Sequence, residues 1–96
     1  MERTFIKDLK TKIGQQVTLK GWLQTLRDQK SMQFLILRDR TGLVQIAHWK
    51  KGNPGLAEAI SALGTESALT ITGTVVENEV VKLGGIEVQL ESLTVE

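Results

Sequence analysis

Ninety-six residues with no cysteine and a single histidine, His48, predict one domain, 1–96, with one compact core. That composition excludes a disulfide framework, a thiolate metal site and any catalytic or metal arrangement needing two histidines. The net charge of +1 hides a division: 1–51 carries eleven Lys/Arg against four acids, whereas 52–96 carries only Lys82 against seven. Such asymmetry suggests a polyanion-facing surface built from the first half.

The chain opens with MERTFIKDLK, which lacks the apolar centre of a signal peptide. No apolar run approaches the roughly 20 residues that cross a bilayer, so the expectation is a cytoplasmic protein with no membrane partner. Phe5, Ile6, Leu9 and Ile13 recur at near-helical spacing until Gly14, which predicts a short helix or helical turn packed on one end of the fold. From Gln16 the period becomes two. Val17, Leu19, Gly21 and Leu23 alternate with Thr18, Lys20, Trp22 and Gln24, marking a first strand, and Gly21 inside it fits a bulge or a sharp bend.

The polar turn 28–31 leads to a second strand, 32–38. Asp39-Arg40-Thr41-Gly42 reads as a hairpin turn with Gly42 at a position that tolerates positive φ, and 43–49 is a third strand. Asn53 and Pro54 then mark a helix start, by side-chain capping and by proline's fixed φ. Leu56, Ile60 and Leu63 supply its apolar stripe, and Gly64 is expected to end it as a left-handed cap. Strands 68–76 and 86–95 follow, separated by a loop that closes at Gly84-Gly85. Three meandering strands, a helix and two more strands predict an all-β fold with one helix. This is the five-stranded Greek-key OB-fold barrel, with its helix between strands 3 and 4. An SH3-like barrel is the main alternative, but it does not usually hold a three-turn helix at that point.

Parity within the strands selects the candidate site. Leu35 and Leu37 go inward, sending Phe34, Ile36 and Arg38 outward; Val44 and Ile46 go inward, sending Leu43, Gln45, Ala47 and Trp49 outward. Phe34 and Gln45 therefore share an outer face. A ring that stacks on a base, beside an amide that bonds its edge, suits single-stranded nucleic acid. Arg27, near the end of the first strand, is within reach of a phosphate or a base edge, and Glu87 projects outward from the last strand. Trp22 and Trp49 read as core-edge tryptophans, His48 as a packed histidine, and Glu77, Glu79 and Glu91 as solvated acids.

The segments GWLQTLRD, LRDRTGLVQ and TGTV, the IEV near the end, and Phe34 six residues after Asp28 carry a further signal. Together they resemble the N-terminal anticodon-binding domain of aspartyl-tRNA synthetases, over nearly the whole chain; the asparaginyl and lysyl enzymes share that fold. The resemblance implies that the barrel grips a tRNA anticodon stem-loop. Phe34 falls on the family's stacking aromatic under the central uridine, Gln45 on the residue bonding that base, Arg27 on its loop-binding arginine and Glu87 on its base-reading carboxylate. Lys30 and Arg38 join Arg27 as expected phosphate contacts. The sequence departs from the bacterial pattern at Asn78, where an arginine is common, and at Gln29-Lys30-Ser31, where a glycine-containing turn is usual. The large ATP-binding catalytic domain of those enzymes has no counterpart in 96 residues. The expected function is thus anticodon recognition, with no catalytic residue, metal or cofactor, and with a parent's catalytic domain as partner in cis. Two readings of other kinds remain open: a sequence-tolerant single-strand binder, and a protein-interaction scaffold using Phe34, Ile36, Leu43 and Trp49.

Overall fold

The computed structural model describes residues 3–96. A 3-10 helix (Ile6–Thr11) precedes β1 (Gln16–Asp28), β2 (Met32–Asp39) and β3 (Gly42–Trp49). A 3-10 turn (Lys50–Gly52) leads into α1 (Pro54–Ser61), and β4 (Ala68–Glu77) and β5 (Ile86–Val95) complete the chain. The strands form a closed barrel in the order β1-β2-β3-β5-β4, with β4 returning to β1. Every pairing is antiparallel except β3 with β5. The expected barrel and its helix are both present, and the single parallel seam is the crossover that α1 makes possible.

The inward residues of all five strands form one core. Leu19, Leu23, Leu35, Leu37, Val44, Ile46, Ile71, Val75 and Val88 are fully buried, joined by Leu9 from the 3-10 helix and Ile60 from α1. These two helices plug the barrel ends. The plug under α1 also holds a buried polar pair, Gln33 and His48. Gln33, fully buried on β2, donates from Nε2 to the Ala57 carbonyl (2.9 Å) and the Ser61 hydroxyl (3.1 Å). Its Oε1 can only accept, so His48 Nδ1, 3.0 Å away, carries the proton. Burial of that imidazole lowers the His48 pKa and keeps it neutral. The reading of a packed histidine is thus correct, with a glutamine partner that strand parity did not reveal.

Two glycines mark where strands press together. β1 pairs with β4 through residue 22 and with β2 from residue 22 onward, and a β-carbon on Gly21 would run into the Arg38 carbonyl. The β1 bulge itself falls after Leu23, so Gly21 serves close approach rather than an extra residue. Gly73 is equally tight, facing the Gln89 carbonyl beside a register shift in the β4–β5 ladder.

Two other expectations for glycine are corrected. Gly42 does not have positive φ; the β2–β3 turn is held instead by the Asp39 carboxylate. Asp39 Oδ1 accepts from the Thr41 amide (2.7 Å), the Thr41 hydroxyl (2.6 Å) and the Gly42 amide (3.2 Å). Its Oδ2 accepts from the Ile6 amide (2.9 Å), fastening the 3-10 helix to the hairpin. α1 ends at Ser61 with Ala62 still right-handed, and Gly64 is not left-handed either; positive φ appears at Glu66. The Asn53 cap is as expected, its side chain accepting from the Leu56 amide at 3.1 Å.

Burial would raise the Asp39 pKa, but the Thr41 hydroxyl and the amides of Ile6, Thr41 and Gly42 outweigh it and hold the carboxyl below its ordinary value. A depressed folded-state pKa contributes stability that is present above the unfolded value and lost as pH falls through the folded one. Asp39→Asn should therefore cost about 2 kcal/mol at neutral pH, the range for charge-assisted hydrogen bonds. It should also flatten the loss of stability below about pH 4, near the ordinary carboxylate value. Urea unfolding across pH checks both; an unchanged acid limb would show that Asp39 does not drive it. Gly21→Ala should cost about 1–3 kcal/mol by overpacking against backbone that cannot swing aside, measured by the same method.

Candidate nucleic-acid interface

Antiparallel pairing sets the candidate side chains on one outer wall. Arg27 of β1 pairs with Phe34 of β2, and Phe34 pairs in turn with Ala47 of β3. Gln45 of β3 lies between Ile36 of β2 and Glu87 of β5. The parallel seam thus brings together Gln45 and Glu87, 42 residues apart, and Gln45 Nε2 donates to Glu87 Oε2 at 3.1 Å. The amide keeps one N–H and its carbonyl oxygen for a ligand, and Glu87 keeps its second oxygen.

These residues line a cleft of about 620 Å³. Arg27, Thr25, Phe34, Ile36, Gln45 and Glu87 form its floor and near side; Asn78, Val80, Val81, Lys82 and Leu83 of the β4–β5 loop form the far wall. Phe34 is half-buried at the base of the cleft instead of standing free, because Ile36 and this loop flank it. Arg27 is exposed and has no hydrogen-bond or ion-pair partner among the described residues. The wall was not legible from strand parity. The loop carries three apolar residues, Val80, Val81 and Leu83, and Val80 is 87% exposed.

Lys30 and Arg38 stand apart from this group. Lys30 is exposed in the β1–β2 turn, and Arg38, farther along β2, bridges Glu66 at 3.2 Å. Neither lines the cleft. Trp22 and Trp49 are 44% and 56% exposed, more open than core-edge tryptophans. Trp49 joins Met32, Leu56 and Gln89 in a neighbouring recess that shares Glu87 with the Phe34 cleft. At the α1 end of the barrel, Lys50 lies 2.6 Å from Asp28, which also accepts from Ser61; these contacts lower the Asp28 pKa. Among the described residues no cluster of His, Cys, Asp and Glu suits a metal ion, and no helix is long and apolar enough to cross a membrane.

Comparison with known proteins shows the family and the fold. Residues 17–96 match the tRNA anticodon family, described as an OB-fold nucleic acid binding domain. An aspartate--tRNA(Asp/Asn) ligase of Thermus thermophilus is 42% identical over 93 residues, covering 97% of this chain and 20% of that protein. An asparagine--tRNA ligase of Desulforamulus reducens is 37% identical over 95 residues, covering 99% of this chain and 22% of that protein. In three dimensions, asparaginyl-tRNA synthetase from Pyrococcus horikoshii, complexed with asparaginyl-adenylate, superposes with a TM-score of 0.90 at 32% identity. That match covers 99% of this chain and 22% of the synthetase. The chain spans about a fifth of the length of the curated relatives it matches.

Because the Phe34 ring is only half-buried and lies outside the core, Phe34→Ala should cost about 1 kcal/mol of stability, against 3–5 for a fully buried ring. Urea unfolding measures it. A loss above 3 kcal/mol would make the ring a core residue.

Proposed function

We propose that this chain, which belongs to the tRNA anticodon family of OB-fold nucleic acid binding domains, holds a tRNA anticodon loop in the Phe34 cleft. Phe34 stacks on one unpaired base. Gln45, already oriented by its bond to Glu87, meets that base's edge, donating with its remaining N–H and accepting with its carbonyl oxygen. A uracil edge presents the matching acceptor and donor. Glu87 uses its free oxygen to accept from a neighbouring base, and unpartnered Arg27 takes a phosphate. Lys30 and Arg38 contribute long-range attraction for the RNA from outside the cleft. The observation that carries this reading is the convergence of Phe34, Gln45, Glu87 and Arg27 on one cleft of about 620 Å³, a size suited to a small ligand such as one or two bases.

Aminoacylation is assigned to a catalytic domain of a parent ligase, and this chain to recognition. The relatives named above include ligases for aspartate and for asparagine, and the cleft residues do not distinguish between them.

The test is binding of a labelled stem-loop with a GUC anticodon, beside an unrelated single strand of equal length, at two salt concentrations. The stem-loop should bind more tightly at both. Phe34→Ala should weaken it by about 5–150-fold, the equivalent of 1–3 kcal/mol for one stacked base. Equal affinity for the two RNAs would mean sequence-tolerant binding. An unaffected Phe34→Ala variant would remove the ring from the site.

A further inference from the structure

The Phe34 cleft continues into a second recess of about 490 Å³, with Lys82 and Leu83 lining both. The 3-10 helix, the β2–β3 hairpin and the β4–β5 loop enclose it. Lys7, Lys10 and Lys82 line it beside Thr41, and no Asp or Glu does.

The geometry of the 3-10 helix explains the convergence. At three residues per turn, positions i and i+3 lie one above the other. Ile6 and Leu9 take the face turned to the core and are buried. Lys7 and Lys10 share the second face, and Asp8 and Thr11 the third, so the helix's one acid is turned away from its two pocket lysines. From the opposite side, Gly84 at φ +80 brings the loop close: a β-carbon there would lie 3.4 Å from Lys10 Cε. Lys82 is the sole basic residue of 52–96. None of the three lysines forms an ion pair among the described residues. The nearest buried carboxylate, Asp39, is saturated by hydrogen bonds from Ile6, Thr41 and Gly42. Three unpaired cations around one recess repel each other until an anion enters.

Resting on the Phe34 cleft as the base site, we propose that this recess binds the phosphodiester backbone of the same RNA strand, which leaves the cleft across Lys82 toward Lys7 and Lys10. Backbone affinity then lies at the 3-10 helix end of the barrel, in a recess that neither Lys30 nor Arg38 lines.

The test compares two charge-matched variants of the chain on the same labelled GUC stem-loop over a range of salt. Lys7→Gln/Lys10→Gln/Lys82→Gln empties the recess of charge; Lys12→Gln/Lys20→Gln/Lys51→Gln removes three lysines that line neither recess. With each neutralised phosphate contributing about 0.7 to the single-strand slope of log affinity against log salt, the recess variant should lose about 2 from that slope. It should bind roughly tenfold or more weakly near 0.1 M salt, while the control changes the slope by less than half as much. Thermal unfolding of both triples, with midpoints at the parent's, shows that charge and not folding is being read. Equal behaviour of the two triples, with Phe34→Ala still weakening binding, would overturn the lysine recess and leave the base site standing. A Phe34→Ala variant that binds normally would overturn both.

Discussion

The Asp39 carboxylate joins the parts of this molecule that matter for binding. Its two oxygens accept four hydrogen bonds, three from the β2–β3 turn and one from the first residue of the 3-10 helix. Phe34 and Gln45 sit on the two arms of that hairpin, and Lys7 and Lys10 sit on that helix. A single buried acid thereby sets the position of the lysine face relative to the aromatic face. The N–H groups it satisfies belong to the hairpin turn and to a helix start, where backbone donors depend on side-chain acceptors.

The second constraint is closure of the barrel. A closed sheet has no free edge, and closing it through a parallel β3–β5 seam places the end of the chain beside its middle. Gln45 and Glu87 become neighbours only through that seam. The same closure makes Gly21 and Gly73 necessary, because strands that bend tightly bring a carbonyl of the next strand to where a β-carbon would stand. The β4–β5 loop then hangs over β2, turning a flat sheet face into a cleft.

Charge is redistributed in the same way. The excess of basic residues in 1–51 does not form one uniform patch, because Arg38 pairs with Glu66 and Lys50 with Asp28. Among the described residues, the cations without an ion pair include Arg27 at the cleft and Lys7 and Lys10 beside it, joined by Lys82 from the acidic half. Fixed cations beside an aromatic floor give an RNA strand both a stacking surface and backbone attraction.

Strand order, the helix between strands 3 and 4, and the outward direction of Phe34 and Gln45 were all legible in the sequence. They follow from local rules: side-chain alternation, a cap at Asn53 and a proline at the first helical position. The hairpin turn and the helix end were misjudged at Gly42 and Gly64, because a side chain such as Asp39 can do the work expected of a positive φ. The cleft wall of Val80, Val81 and Leu83, the hydrogen bond from Gln45 to Glu87 and the meeting of Lys82 with Lys7 and Lys10 had no local signature. Each joins residues 35 or more positions apart, and sequence periodicity reports only which face a residue takes, not which distant residue will share it. The sequence by itself determined the barrel and its aromatic face; only closure of the barrel decided what stands around that face.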